Sequence, residues 1–528
     1  MLFSSAERSF VEALQRFMYA NPFDTVAQDS LWRVLMEFDL KLPAADPSKP
    51  PVQNPYDAYL EKLLPRVESL LLRIQPRLKK GASDINRAER EWLEDLIIIA
   101  LNLRYFAPLN PLELVGDSTR KVSTYRAFRE DLLQWTSMAQ GLTPFFESPE
   151  HVFAIFFQYR LAVVLLDQLI QGRSRPVARL RAATWHSIFP RELRLYGVLL
   201  YERMHEVTTL ILGPSGTGKE LVATAIGLAR FVPFDGKRER FIEPFAGAFH
   251  PLNLSAMPRD LIESEMFGHV AGAFTGAAKD REGWFEKCKR GHTVFLDELG
   301  ELAESVQVRL LRVLQNREFY RVGDTEARRF DGRVIAATNR DLAQQISAGQ
   351  FREDLYFRLC SDVIRTPTLR EQLDDSPEEL STLVELVARR CLGDRAPEEY
   401  VEQLTRSTLD WVERSPAMGL GYGWPGNFRE LEQCVRSVMV RGEYHAPPRS
   451  AARANSPALD SAAPTPLDRF ASDIRAGALT FDEVLERYCS LMFARTANVA
   501  ETARRLQKHR VTVQVRINPE WVEQFRDL

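Results

Sequence analysis

The sequence predicts an α/β core with a parallel sheet, flanked by an all-α front domain and a small helical tail. Three observations indicate this fold class. Short strand-like runs alternate with amphipathic stretches over residues 176–365, an order typical of a parallel sheet covered by helices on both faces. Apolar residues follow helical spacing over residues 1–175 and 366–445. Residues 446–470 are rich in Ala, Pro and Ser and indicate a flexible linker before residues 471–528.

The front domain is predicted to be mostly helical. Its most apolar window, Val152–Ile170, is interrupted by Arg160 and Asp167, so a buried helix fits it better than a membrane span. The role of this domain stays open between a helical interaction domain and a structural cap. The predicted helices cover Tyr59–Leu78, Arg87–Tyr105, Tyr125–Met138 and Glu150–Gln171.

Composition excludes several classes of protein. The 528 residues carry a formal net charge of −3, so any contact with nucleic acid must come from a local basic patch. Five scattered cysteines without a CxxC pair argue against a disulfide framework or a structural zinc site. The first residues lack the layout of a signal peptide. We therefore expect a cytoplasmic protein with no membrane partner.

A glycine-rich loop follows the strand-like run Val207–Leu212 and precedes a helical stretch. In this setting, glycines let backbone N–H groups turn inward around phosphate oxygens, and a lysine neutralises their charge. Glu220 stands where the general motif has Ser or Thr, so that position offers no hydroxyl to Mg²⁺. The predicted nucleotide-binding residues are Gly213, Pro214, Ser215, Gly216, Thr217, Gly218, Lys219 and Glu220.

Two further strand-like runs end in polar residues. Thr293–Leu296 is followed by Asp297 and Glu298, and Val334–Ala337 is followed by Asn339 after one threonine. The carboxyl ends of parallel strands face the ligand crevice. We therefore expect Asp297 to hold Mg²⁺, Glu298 to activate water, and Asn339 to lie near the nucleotide, the arrangement of an ATPase.

Between these motifs lies the hexapeptide Gly272, Ala273, Phe274, Thr275, Gly276 and Ala277. With it, residues 176–445 closely resemble the bacterial enhancer-binding proteins, which are AAA+ activators of sigma-54 RNA polymerase. The resemblance implies that this hexapeptide tips a mobile loop that touches sigma-54. It also implies ATP and Mg²⁺ as cofactors, a hexameric ring, and sigma-54 RNA polymerase holoenzyme as the partner.

The resemblance assigns further residues within the core. Arg352 and Arg358 correspond to arginine fingers that act on the neighbouring subunit's nucleotide. Asn253 corresponds to a switch residue that holds Glu298, and Arg429 to a sensor aimed at the γ-phosphate. Asn427, with Glu430 three residues later, predicts a capping box at the start of that sensor helix. One departure is a longer stretch before Asn253, which indicates an insertion within residues 233–250.

The tail resembles a Fis-type helix-turn-helix domain. Residues 483–493 indicate a first helix, residues 498–506 correspond to the helix before the turn, and residues 509–517 correspond to the recognition helix. Residues 494–517 carry six Arg or Lys and one Glu, which suits contact with the phosphates of double-stranded DNA at upstream, enhancer-like sites. Two other functions stay open: a DNA-binding AAA+ regulator that acts without sigma-54, and an AAA+ protein-remodelling chaperone. The candidate DNA-contacting residues are Arg510, Thr512, Gln514 and Arg516.

Overall fold

The computed structural model describes residues 2–24, 30–31, 33–35, 55–81, 85–117, 120–137, 142–393, 395–415, 422–445, 470, 473 and 479–525. Two compact units make up the chain, Met1–Ala446 and Pro447–Leu528. The predicted linker, residues 446–470, lies outside the described residues except for Phe470.

Helices dominate the front of the chain, as predicted. The first begins with a capping box in which Ser4 and Glu7 satisfy each other's backbone N–H groups. Three predicted helices are confirmed within two residues at each end, since the structure has helices over Arg87–Tyr105, Tyr125–Thr136 and Pro149–Leu169. The helices are α1 Ser5–Tyr19, α2 Pro55–Gly81, α3 Arg87–Tyr105, α4 Leu112–Gly116, α5 Tyr125–Thr136, α6 Pro149–Leu169, α7 Arg175–Ile188 and α8 Leu193–Val198.

Helix α6 is a core helix, in agreement with the sequence prediction. Among the described residues, it alone is long and apolar enough to cross a membrane, and 67% of its most apolar window is buried inside the protein. Its apolar side chains face neighbouring helices on nearly all sides. Gln158, in its middle, satisfies its amide through hydrogen bonds to Tyr196 and to the backbone of Ala229.

The α/β core contains a five-stranded parallel sheet, which confirms the predicted fold class. Its strand order is β11-β1-β10-β7-β4, and its four strand pairs are all parallel. The strands of this sheet are β1 Thr209–Leu212, β4 Phe249–Asn253, β7 Thr293–Asp297, β10 Arg333–Thr338 and β11 Asp362–Arg365. Three short antiparallel hairpins accompany it: β2 Phe234–Asp235 with β3 Arg240–Phe241, β5 Gly268–His269 with β6 Arg281–Glu282, and β8 Glu318–Phe319 with β9 Arg328–Arg329.

Helices cover both faces of the sheet and continue into a helical lid. One face, including Ile211 and Ile335, shares a single apolar core with the front helices. The other face packs in a separate core around Leu296 and Leu310. The helices of this region are α9 Lys219–Leu228, α10 Arg259–Phe267, α11 Trp284–Lys287, α12 Glu304–Asn316, α13 Leu342–Ser347, α14 Glu353–Leu359, α15 Leu369–Asp375, α16 Glu379–Leu392, α17 Glu398–Arg414 and α18 Asn427–Arg441.

The hairpin β2–β3, in the stretch where the sequence indicates an insertion, packs against the front domain. The ring of Phe234 lies 4.7 Å from that of Tyr125 and 4.6 Å from that of Phe153, between ring centroids. The backbone N–H of Val122 donates to the carbonyl of Glu239 at 2.8 Å. Aromatic pairs at such distances add to the stability that burial alone supplies. This hairpin therefore joins the front helices to the α/β core.

Replacing Phe153 with Ala tests how much this junction contributes to stability. Phe153 is fully buried and contacts aromatic rings on both sides of the junction. We expect Phe153→Ala to lower the free energy of unfolding by about 3–5 kcal/mol, measured by urea denaturation. Leu133→Ala, on the exposed side of α5, is the control and should cost about 0.5 kcal/mol or less. Equal losses for the two variants would contradict the role of this junction.

The second unit is a small helical domain. Its helices are α19 Phe481–Thr496, α20 Val499–Arg505, α21 Arg510–Val515 and α22 Pro519–Gln524. A capping box between Thr480 and Glu483 starts α19. The predicted recognition helix, residues 509–517, forms a helix only over Arg510–Val515, because Asn518 already caps the next helix at Pro519. A small hydrophobic core around Phe470, Leu491 and Phe525 stabilises the unit.

Candidate active site

The glycine-rich loop lies between β1 and α9, as the sequence predicts. Gly216 and Gly218 have φ angles of 77° and 87°, in the left-handed region that favours glycine. A Cβ atom on Gly216 would lie 2.3 Å from the carbonyl oxygen of Gly426 in the lid. Only glycine therefore allows the lid to approach the loop this closely.

Lys219 is the first residue of α9 and is largely buried. Its Nζ donates to the carbonyl oxygens of Gly213 at 3.0 Å and Pro214 at 3.2 Å. Burial lowers the pKa of its ammonium group, and the nearby carboxylates of Glu298 and Asp297 oppose this shift. The structure thus brings the lysine and both predicted acidic residues together.

The two acidic residues occupy the carboxyl end of β7. The backbone N–H of Glu298 donates to Asp297 Oδ1 at 3.0 Å, and Glu298 adopts a left-handed φ of 58°. Burial raises the pKa of Glu298, while Lys219 opposes the shift. A half-buried carboxyl with a raised pKa is suited to accept a proton from a bound water.

Asn339 and Asn253 lie on the strands that flank β7. Asn339 follows β10, and its backbone N–H opposes the rise in the pKa of Glu298. Asn253 pairs in register with Asp297, and its Oδ1 accepts from the N–H groups of Ser255 at 3.0 Å and Ala256 at 3.3 Å. The structure gives no hydrogen bond between Asn253 and Glu298, so the switch contact stays a prediction.

The lid helix α18 is tied directly to the glycine-rich loop. Arg429 Nη1 donates to Ser215 Oγ at 3.0 Å, and the N–H of Phe428 donates to the carbonyl of Gly216 at 3.0 Å. Asn427 Nδ2 donates to the carbonyl of Ser215 at 3.0 Å, while its Oδ1 accepts from the N–H of Leu369 at 2.9 Å. Asn427 therefore links the loop to both ends of the lid.

The predicted capping box at Asn427 is wrong. Gly426, not Asn427, is the N-cap of α18, and Glu430 accepts from the Gly426 N–H at 2.8 Å. The amide of Asn427 is unavailable for capping because it already bridges Ser215 and Leu369. The sequence motif included Asn427, but this residue connects two distant segments and does not cap the helix.

A cleft of about 320 Å³ lies between the loop and the lid. Asp297, Glu298 and Arg429 line its polar side. Its apolar side includes residues that no motif indicated, since they lie in the front domain, α7 and the lid. They are Ile170, Val177, Leu180, Leu383 and Val387. The cleft thus offers a charged region for phosphates and an apolar region for a base.

The two candidate arginine fingers lie away from this cleft. Arg352 is the N-cap of α14 and forms an ion pair with Asp354 at 2.7 Å. Arg358, in the last turn of the same helix, is exposed. Neither lines the cleft of its own chain. The structure therefore does not bring them together with the other predicted catalytic residues.

The hexapeptide Gly272–Ala277 forms a tight, exposed turn. The N–H of Gly272 donates to the carbonyl of Ala277 at 2.8 Å, and a Cβ on Gly272 or Gly276 would meet no atom within 4 Å. Phe274 is 39% exposed and its ring packs edge-on against His269. Thr275 is exposed and forms no hydrogen bond with any described residue. The tip of this turn is accessible to a partner.

The candidate DNA-contacting residues of the tail divide into two groups. Arg510, Thr512 and Gln514 are exposed on α21. Arg516 follows that helix, and its Nη1 forms an ion pair with Asp482 of α19 at 2.6 Å. The first three residues therefore lie together on one helix, whereas Arg516 is held in an ion pair inside the domain.

Comparisons with known proteins find relatives of the α/β core. Residues 199–365 match the model of the Sigma-54 interaction domain. The Nif-specific regulatory protein of Azotobacter vinelandii is 43% identical over 45% of this chain and 40% of its own. The transcriptional regulator NtrC of Azospirillum brasilense is 42% identical over 47% of this chain and 46% of its own. The chain thus spans less than half the length of these relatives.

A solved structure of NtrX from Brucella abortus is 22% identical, covering 74% of this chain and 79% of its own with a TM-score of 0.38. The family model and the curated relatives confirm the resemblance inferred from the sequence motifs. Over residues 199–365, this chain is similar to the Sigma-54 interaction domain family.

Proposed function

We propose that this protein is a sigma-54-dependent transcriptional activator that acts in the cytoplasm. A ring of subunits, six by the resemblance, would hydrolyse ATP to remodel the closed complex of sigma-54 RNA polymerase, while the tail binds upstream DNA. The observation that carries this proposal is the exposed tip of Gly272–Ala277 within a matched Sigma-54 interaction domain. The same observation disfavours a regulator that acts without sigma-54 and a general chaperone.

The residues of the cleft fit ATP and Mg²⁺. Gly426 lies so close to Gly216 that only backbone atoms fit at this point of the loop. Asp297 presents the carboxylate oxygens that Mg²⁺ prefers. Bound ATP and Mg²⁺ would supply the transferable phosphoryl group and its charge neutralisation. Lys219 would bind the β- and γ-phosphates, and Arg429 would orient the γ-phosphate. Glu298 would orient a water and accept its proton.

The first test of this function is a pair of binding experiments on the full chain. Immobilised sigma-54 should capture the protein when a transition-state ATP mimic is present and release it without nucleotide. Duplex DNA should shift the protein in a gel, and Arg510→Ala should weaken the shift and reduce the salt slope by about one. Arg406→Ala, an exposed lid arginine, is the matched control. Failure to bind sigma-54 under any nucleotide condition would contradict the proposal.

The position of the arginine fingers supports an active site shared between subunits. ATPase activity per subunit should rise with protein concentration as rings form, and Arg358→Ala should lower it by a factor of about 10³–10⁵. Mixing Arg358→Ala subunits with Lys219→Ala subunits should restore part of the activity, since each supplies what its neighbour lacks. Steady-state phosphate release measures this. The absence of any recovery in rings shown to be mixed would count against the shared site.

A further inference from the structure

A second cavity, of about 120 Å³, lies in the front domain between α1, α3, α6 and α8. We name it the front cavity. Its walls are mostly apolar and include Ile98, Ile99, Ile155, Phe156 and Leu193. An engineered protein cavity of about 150 Å³ with comparable walls binds benzene. The front cavity therefore suits a molecule with a single six-membered ring.

One side of the front cavity carries a buried carboxyl group. Glu94 is 3% exposed and lines the cavity, and its Oε1 accepts from the N–H of Thr143 at 2.7 Å. Burial raises the pKa of Glu94. Its neighbour Asp95 forms an ion pair with Arg194. The charge of the same Arg194, which also lines the cavity, opposes the pKa shift of Glu94 without forming an ion pair with it. A carboxylate accepts several hydrogen bonds, so Glu94 retains capacity for a donor on a ligand.

Hydrogen bonds connect the wall of the front cavity to α9, the helix that follows the glycine-rich loop. Tyr196 lines the cavity and is almost completely buried, and its hydroxyl donates to Gln158 Oε1 at 2.7 Å. Gln158 Nε2 donates to the carbonyl of Ala229 at 2.9 Å. Ala229 is the C-cap of α9, the helix that begins at Lys219. A shift of the Tyr196 ring would therefore act on the helix that carries Lys219.

We propose that the front cavity binds a small uncharged molecule with one six-membered ring and one hydroxyl donor, and that its occupancy acts on α9 through Tyr196 and Gln158. The ring would fill the apolar walls, and the hydroxyl would donate to Glu94. The binding of this molecule is inferred from the geometry of the cavity and does not depend on the proposed function. Its effect on ATP hydrolysis rests on the proposed function.

Cyclohexanol and cyclohexanone are the probes for the binding site, because they have the same size and only cyclohexanol donates a hydrogen bond. In calorimetric titrations of the full chain at alkaline pH, which favours the ionised Glu94, we expect saturable binding of cyclohexanol. Cyclohexanone should bind about tenfold more weakly, because one hydrogen bond to a charged group is missing. Equal affinities of the two probes, or no saturable binding of cyclohexanol, would overturn the proposal.

Variants that fill the front cavity locate the binding site. Ile98→Trp should abolish cyclohexanol binding, and Leu193→Phe is a second, milder filling variant in case the first fails to fold. Leu133→Trp, on an exposed face of α5, is the control and should bind normally. Circular dichroism would establish that each variant is folded. Unchanged binding by a folded filling variant would place the molecule elsewhere and overturn the proposal.

Tyr196→Phe tests the connection to α9. This variant removes only the hydroxyl that donates to Gln158, so it should still bind cyclohexanol. Cyclohexanol should change the ATPase rate of the unaltered protein several-fold, and this response should be lost in Tyr196→Phe. A response that persists in Tyr196→Phe would overturn the connection. Absence of ATP hydrolysis in the unaltered protein would contradict the proposed function instead, since calorimetry tests the cavity independently.

Discussion

Lys219→Ala is expected to abolish ATP binding, whereas Glu298→Gln should bind ATP normally and hydrolyse it at least about a hundredfold more slowly. The difference follows from the positions of the two side chains. Lys219 Nζ lies against the carbonyls of Gly213 and Pro214, inside the glycine-rich loop where phosphates would bind. Glu298 lies at the end of β7, and Gln retains its size while losing the ability to accept a proton.

Two measurements separate these effects. Binding of a fluorescent ATP analogue reports on Lys219, and single-turnover phosphate release reports on Glu298. Lys289→Ala and Glu402→Gln, both exposed and outside the lining of the cleft, are matched controls that should leave binding and hydrolysis unchanged. Near-normal turnover in Glu298→Gln would show that another group activates the water.

The parts of the cleft that are local in sequence could be predicted. The glycine-rich loop, Lys219 and the Asp297–Glu298 pair each follow an apolar strand directly, so the strand's carboxyl end determines where they lie. The parallel sheet followed from the alternation of strands and helices for the same reason. Short-range patterns carry this information because strand and helix periods are local properties.

Other parts depend on packing between distant segments and could not be predicted. Ile170 and Leu180 line the cleft because the front domain shares its core with one face of the sheet, and no local pattern indicates this. The packing of hairpin β2–β3 against the front domain is seen only in the contacts of Phe234 with Tyr125 and Phe153. Asn427 was misinterpreted since its partners, Ser215 and Leu369, are far away in sequence.

Thr275→Ala is expected to separate ATP hydrolysis from sigma-54 binding and promoter opening. Thr275 is exposed, forms no hydrogen bond with a described residue, and lies in a turn where a Cβ on Gly272 or Gly276 would meet no atom within 4 Å. The substitution should therefore leave ATP hydrolysis and ring formation largely intact. It should nevertheless eliminate sigma-54 binding and promoter opening, because the tip loses the hydroxyl that would contact the partner.

Two further variants serve as comparisons for Thr275→Ala. Thr382→Ala, an exposed threonine on lid helix α16, is the matched control and should change neither hydrolysis nor promoter opening. Deleting residues 467–528 should have the opposite effect to Thr275→Ala. That deletion should spare contact with sigma-54 while removing localisation at a specific DNA site.

Open-complex formation on a sigma-54 promoter, measured alongside the ATPase rate of each variant, tests the central claim most directly. The unaltered protein should open the promoter only with hydrolysable ATP. Thr275→Ala should hydrolyse ATP at a near-normal rate without opening it. Promoter opening that survives Thr275→Ala undiminished would contradict the proposed role of the Gly272–Ala277 turn.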